Sequence, residues 1–459
     1  MKFHIKTYGC QMNERDSESL ACLLERKGYT RADSEKGADI VVVNTCSVRG
    51  KAEEKALGKL GLLVSGKKKG ERLAVGAIGC MVERIGADIF NKIPGLDFAG
   101  GTRRISDIPD IIREALNRGG QIIFTGESPE GIGGSDELSG HREDKVSAFV
   151  NILPGCERFC SYCIVPSVRG REIGRQAAHV IAETRRLAES GVKEITLLGQ
   201  SVLDYGRRNR VWPDGDSVSG APFTEPFARL LKEVAAVPGI ERVRFTSSHP
   251  SGCTVELAGV MADTREVCEH IHLPLQSGSD RILRMMRRGY STGDYWRAVE
   301  RLKKRMPDLA VTTDIIVGFP SETEKDFLET LEMMGKIAFD NAFIFKYSPR
   351  PGTRAAEWED DVPAVVKMER NRILLQDQDA RTLRINRSYV GKQVEVLVAG
   401  KSTRNVSRWS GRTRLNKIAV FEPVPEVAPG NLVNVGIDRI TAQCLYGKAC
   451  LSSPGFKND

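Results

Sequence analysis

The chain has no run of 18 apolar residues; its longest, such as Ile40 to Val43, have the length of a buried strand, so nothing in it reads as a membrane span. Met1 to Cys10 carry no signal-peptide core, which predicts a chain that stays in the cytoplasm. A phosphate-binding loop is missing too, because Gly400-Lys-Ser402 has Glu395 where the leading glycine would stand. Eleven cysteines, an odd number in a large unsecreted chain, argue against a disulfide framework and for metal binding. At 459 residues the chain is too long for one ordinary domain, and 41% hydrophobic residues supply ample core material.

Net charge is +8, but it is not spread evenly. Residues 381–420 hold Arg381, Arg384, Arg387, Lys392, Lys401, Arg404, Arg408, Arg412, Arg414 and Lys417 against the single acid Glu395. That stretch is +9, leaving −1 for the rest. A positive field at one end fits a nucleic-acid module; a solvated basic face is the plainer alternative.

Cys156, Cys160 and Cys163 form a C-x3-C-x2-C triplet inside Pro154 to Pro166. Three thiolates at this spacing can hold three corners of a cubane iron–sulfur cluster. A [4Fe–4S] cluster ordinarily takes four cysteines, so one iron would be left for a ligand that is not protein. The alternatives are a zinc knot or buried thiols. A closed zinc site wants a fourth protein ligand, and no neighbouring His or Cys offers one.

Over the first 125 residues, strand patterns at Phe3–Tyr8, Ile40–Asn44 and Leu73–Ile78 alternate with helical ones at Asp16–Lys27, Ala52–Val64 and Val82–Asn91. This alternation predicts a parallel sheet with right-handed crossovers, whose ligand crevice lies beyond the carboxyl ends of the strands. Cys10, Cys46 and Cys80 each fall just past one of those ends, and are expected to meet there as a second three-cysteine set. Three unrelated buried thiols are the competing explanation.

Residues 126–145 are rich in Gly, Ser and acid and read as a linker; Arg207 to Thr224 read as a surface loop. From 146 to 380 six further strands are expected, at Ala148–Ile152, Glu194–Leu198, Val243–Thr246, His270–Leu273, Val311–Val317 and Phe343–Lys346. Helices at Ala177–Glu189 and Asp294–Lys304 lie between them. Six units are too few to close an eight-fold barrel, so an open, partial barrel is predicted, with the cysteine triplet directly after its first strand. From 385 to 450 short strands (Val394–Val398, Lys417–Phe421, Leu432–Asp438, Gln443–Tyr446) suggest a small antiparallel barrel of the kind that binds single-stranded nucleic acid. Trp409 and Tyr389 could stack on bases there or equally serve as core.

Together these segments resemble the radical S-adenosylmethionine (SAM) methylthiotransferases. The resemblance rests on Cys156, Cys160, Tyr162 and Cys163, with Thr7-Tyr-Gly-Cys-Gln-Met-Asn13, Asn44-Thr-Cys-Ser47, Gly79-Cys80 and Val168-Arg-Gly-Arg-Glu172. His272-Leu-Pro-Leu-Gln-Ser-Gly-Ser-Asp280 and Thr313-Asp-Ile-Ile-Val-Gly-Phe-Pro320 extend it, and the tail resembles the TRAM RNA-binding module. Within the family, Gln11-Met12-Asn13, Ser47-Val48-Arg49 and Gly199-Gln200-Ser201 are most similar to the branch acting on isopentenyladenosine beside the tRNA anticodon.

The resemblance implies an α/β multidomain fold: an N-terminal parallel sheet domain over 1–125, a partial (βα)6 radical SAM barrel over 146–380 and a TRAM barrel over 385–450. It implies two [4Fe–4S] clusters, one on Cys156, Cys160 and Cys163 and an auxiliary one on Cys10, Cys46 and Cys80. SAM would then be contacted by Tyr162, Gln200, Ser248 and Gln276, and RNA phosphates by Arg408, Arg412, Arg414 and Lys417. A 5′-deoxyadenosyl radical suits the chemistry, because the adenine C2–H has no useful acidity for a side-chain base. The implied partners are the tRNA anticodon stem-loop and a reductant such as a flavodoxin or ferredoxin, with the chain a monomer. Methylthiolation of threonylcarbamoyladenosine or of a ribosomal-protein aspartate, and a noncatalytic iron–sulfur RNA-binding protein, are the alternatives.

Overall fold

Two nearly continuous apolar strands anchor the first layer. In the computed structural model, which describes residues 1–47, 50–67, 73–127, 145–212 and 224–450, β1 (Lys2–Tyr8), β2 (Thr30–Arg31), β3 (Ile40–Thr45), β4 (Ala74–Gly79), β5 (Phe98–Gly100) and β6 (Ile122–Phe124) form one sheet. All neighbours pair in parallel, in the order β2-β1-β3-β4-β5-β6. Every residue of β3 and β4 is buried, as expected of central strands covered on both faces. The chain leaves β1 for β2 on one side and returns to β3 on the other, so strand order reverses between β1 and β3. The helix expected over Val82–Asn91 is two, Cys80–Ile85 and Asp88–Lys92, because Gly86 adopts φ +64° between them. Most of the expected linker, 128–144, lies outside the described residues, as do Val48, Arg49 and the 213–223 part of the expected surface loop.

The next six strands are β7 (Ser147–Leu153), β8 (Glu194–Gly199), β9 (Arg242–Phe245), β10 (His270–His272), β11 (Ala310–Val317) and β12 (Asn341–Lys346). They make two parallel three-stranded sheets, joined where Val243 bridges Val267. β7 and β11 alternate in burial. One set of side chains packs beneath the surrounding helices and the other faces a cavity of about 1750 Å³.

The third unit is a closed five-stranded barrel of β13 (Gln393–Lys401), β14 (Trp409–Thr413), β15 (Ile418–Phe421), β16 (Leu432–Ile440) and β17 (Cys444–Cys450). It is antiparallel except where β15 and β17 run parallel. Trp409 and Tyr389, candidates for base stacking, are half-buried against its core instead.

Arginines from the central barrel fasten this unit. Arg242, fully buried, bonds to Glu395 Oε1 at 2.8 Å and donates to the carbonyl of Arg412. Arg244 pairs with Glu194 at 2.8 Å and donates to the carbonyls of Thr413 and Arg414. A buried cation stripped of its partner leaves the other charge uncompensated. Arg244→Ala is therefore expected to destabilise the protein by about 3–5 kcal/mol, and to open the segment before β13 to protease. Unfolding midpoints and cleavage patterns identical to those of the parent chain would contradict the clamp.

Candidate active site

The thiols of the first sheet are delivered by backbone geometry at the strand exits. Tyr8, Thr45 and Gly79 lie in register across β1, β3 and β4; Cys46 and Cys80 follow directly, and Cys10 follows after Gly9. Gly79 turns at φ +102°, where a side chain would strike Asn44 and the carbonyl of Thr45. At Gly9 a Cβ would fall 2.3 Å from the Asn13 side chain. Cys10 caps the helix Gln11–Arg26 and Cys80 opens the helix Cys80–Ile85. The strand-order reversal places Cys10 and Cys46 on either side of the crevice where α/β sheets bind ligands.

A buried amide pair holds these turns together. Asn13 Nδ2 donates to Asn44 Oδ1 at 3.0 Å, Asn44 Nδ2 donates to the Asn13 carbonyl at 2.9 Å, and Asn13 Oδ1 accepts from the Cys10 amide at 3.3 Å. The hydrogen bond from Cys46 lowers the Cys10 thiol to about 5, against burial and aided by the Arg169 cation. Cys80 moves the other way, raised by burial.

The second triad sits after β7. Cys156, Cys160 and Cys163 line the central cavity together with Cys10 and Cys46, while Cys80 packs against Ile164 and Val168 just beyond Cys163. Burial pushes Cys156 up to about 11 and Cys163 up to about 12. Each triad has a buried guanidinium beside it. Arg169, at the end of the short helix Val165–Arg169, pairs with Asp16 at 2.8 Å and reaches Cys80. Arg288 donates to Cys160 Sγ at 3.2 Å and to Tyr290 Oη at 3.0 Å.

Among the described residues, no three His, Cys, Asp or Glu side chains close on a single-ion position. Ligands spread over three corners of a polynuclear cluster need no such convergence. The donor chemistry therefore fits: thiols for iron, and a buried cation to balance the anionic cluster each triad would create.

The expected SAM contacts converge on the same cavity. Gln200 follows β8, and Ser248, buried, has an Oγ without a hydrogen-bond partner. Gln276 adopts φ +70°, a costly conformation for a non-glycine residue. Its backbone accepts from Ile316 at 2.9 Å and donates to Asp314 at 2.8 Å, which holds it at the cavity wall. Tyr162 Oη lies 3.5 Å from Arg288. His249 is kept neutral, its pKa lowered to about 2 by burial and by Arg288 and Arg158, and its ring bonds to the Arg288 carbonyl.

The four expected phosphate contacts separate. Arg414 is spent on Glu269, with two bonds at 2.8 Å, and on the Val267 carbonyl, so it fastens the small barrel rather than facing RNA. Lys417 pairs with Asp340 at 2.9 Å yet still lines the cavity, beside exposed Arg412. Arg408 lies outside the cavity lining, 4.0 Å from Glu422.

Residues 150–334 match the Radical SAM superfamily, residues 2–101 the family described as Uncharacterized protein family UPF0004, and residues 387–450 the TRAM domain. The chain is 42% identical over 450 residues to the tRNA-2-methylthio-N(6)-dimethylallyladenosine synthase of Methylacidiphilum infernorum, covering 98% of this chain and 94% of that one. The enzyme of the same name from Syntrophus aciditrophicus is 43% identical over 447 residues, at 97% and 94% coverage. The chain belongs to this synthase family. Among solved structures, the radical S-adenosylmethionine methyltransferase TsrM of Kitasatospora setae superposes with a TM-score of 0.54 at 13% identity. It covers 77% of this chain and 75% of that one, a likeness of fold alone.

Asn13, Asn44, Arg169 and Arg288 stand beside the two thiol triads and were given no role by sequence reasoning. Asn44→Ala would leave the Asn13 amide group and the Cys10 turn without their buried partner. It is expected to cost about 1–3 kcal/mol in urea unfolding; a midpoint equal to the parent's would show that the amide pair holds nothing.

Proposed function

We propose that the chain attaches a methylthio group to C2 of N6-isopentenyladenosine next to the anticodon of tRNA, using two molecules of SAM. The observation that carries this reading is that Cys10, Cys46, Cys156, Cys160 and Cys163 line one cavity, with Cys80 packed just beyond it, and that Arg412, Asn416 and Lys417 of the small barrel line it too. The family's members bear the name of that reaction.

In this reading Cys156, Cys160 and Cys163 hold one [4Fe–4S] cluster, and Cys10, Cys46 and Cys80 hold a second. When bound, the clusters supply the electron that cleaves the SAM sulfonium and the iron that carries sulfur. The chain's own residues bind and orient. Gln200, Ser248 and Gln276 offer hydrogen bonds to SAM, Ser248 through a buried hydroxyl that otherwise lacks a partner. Tyr162 and Arg288 close the wall behind Cys160. Arg412 and Lys417 hold phosphates at the rim by salt-sensitive contacts. An acidic one-electron carrier reduces the enzyme, which acts as a monomer in the cytoplasm.

Nucleosides of tRNA from a strain lacking the protein should lose the methylthio form and accumulate isopentenyladenosine. The parent gene should restore it and Cys80→Ala should not; restoration by Cys80→Ala would sink the reading. The thiols also set a pH dependence. Cys80, Cys156 and Cys163 have raised pKa values, are protonated at neutral pH, and must release protons to bind iron. Anaerobic cluster incorporation into the apo-protein should therefore rise between about pH 7 and pH 9; loading that is flat across that window would contradict it.

A further inference from the structure

A second cavity, of about 470 Å³, is lined by Arg288, which contacts Cys160, and holds none of the six thiols in its lining. Arg158 and Arg288 line both cavities and so form the partition between them. Arg288 touches the Cys160 sulfur on one side. Arg158 is fixed by a bidentate pair to Asp204, at 2.7 and 2.8 Å. The outer cavity is rimmed by exposed Arg207, Arg208 and Arg287, and Arg171 stands 3.3 Å from Glu157 on the same loop, with 76% of its side chain exposed.

Next to Arg158, midway between Cys156 and Cys160, Phe159 presents 60% of its surface to solvent and adopts φ +48°. Positive φ is uncommon for a bulky aromatic, and here it leaves most of the ring in solvent. Exposed Ile173 adds a second apolar contact nearby in sequence.

We propose that Phe159 and the ring of Arg171, Arg207, Arg208 and Arg287 are the docking face for an acidic, low-potential one-electron carrier protein. The inference rests on the reading of Cys156, Cys160 and Cys163 as cluster ligands. Five arginines against three carboxylates leave the outer cavity positive. Glu157 and Arg158 in its lining belong to the loop that carries all three cysteines. One electron leaves the carrier's reduced flavin or iron–sulfur centre, leaving the carrier oxidised by one unit, and enters the cluster; no atom or proton need cross. RNA is the less suitable occupant, because its phosphate contacts are assigned to Arg412 and Lys417 at the first cavity, which do not line this one. Mixed charge around an apolar centre is instead the composition of a protein-binding patch.

The test uses reconstituted full-length enzyme, purified flavodoxin as the probe, and two variants, Phe159→Ala and the double change Arg171→Glu with Arg208→Glu. Flavodoxin association with the double variant should slow by about ten-fold or more and lose its salt dependence. Formation of 5′-deoxyadenosine driven by reduced flavodoxin should fall in step in both variants. The rate driven by dithionite, a small reductant that needs no docking, should not change. Unaltered flavodoxin binding with dithionite activity intact overturns the docking face alone. Weakened tRNA binding with flavodoxin unaffected reassigns the face to RNA and overturns it too. An unaltered enzyme that makes no 5′-deoxyadenosine with dithionite overturns the underlying reading and, with it, this one.

Discussion

Thiols from segments far apart in sequence can gather about one cavity only if something rigid delivers them. Here the carboxyl ends of parallel strands do so. Hydrogen-bond register fixes Tyr8, Thr45 and Gly79 side by side, and the turns that follow leave Cys10, Cys46 and Cys80 no choice of edge. The Asn13–Asn44 pair then ties two of those turns to each other. The second triad follows β7 in the same manner, and Arg169 with Asp16 joins the two assemblies across their boundary. Arg15 and Arg175, both on Glu183 at 2.8 Å, add a buried ion triad at that junction.

The placement of the third unit follows from the same economy of charge. The basic tail segment is strongly positive as a sequence, but its charges are not all free. Glu269 and Asp340 of the central barrel occupy Arg414 and Lys417, and buried Arg242 and Arg244 grip backbone carbonyls of β14 and the residue beyond it. The tip of residues 412–418 is thereby held at the mouth of the cavity. A nucleic-acid module fixed in that position can present a nucleotide to the thiol triads without a hinge.

Much of this was legible in the residues. β1, β3 and β4 were expected to within a residue, β3 and β4 as apolar runs and β1 by its alternation, each ending one or two residues before a cysteine. The helix Ala177–Glu189 matches its expected bounds, since its apolar period is strong. Short β5 and β6, of three residues each, carry too little pattern to be read, and the helix Ala364–Arg387 is too polar to announce itself. The roles of single polar side chains were hidden for a different reason. Asn13 finds Asn44 31 positions away, Arg169 finds Asp16 at 153, and Arg288 finds Cys160 at 128. Sequence shows the motif letters in each case, whereas the partner exists only after the strands have aligned. Arg414 misled for the same reason: charge can be counted along a chain, but its neutralisation by Glu269 cannot.

Iron and acid-labile sulfide per chain, measured on anaerobically reconstituted full-length protein, test the central claim most directly. Two independent triads predict about eight irons in the parent, falling to about four when Cys10, Cys46 and Cys80 are all changed to alanine. A parent chain that holds only about four irons, and keeps them in that triple variant, would contradict the account.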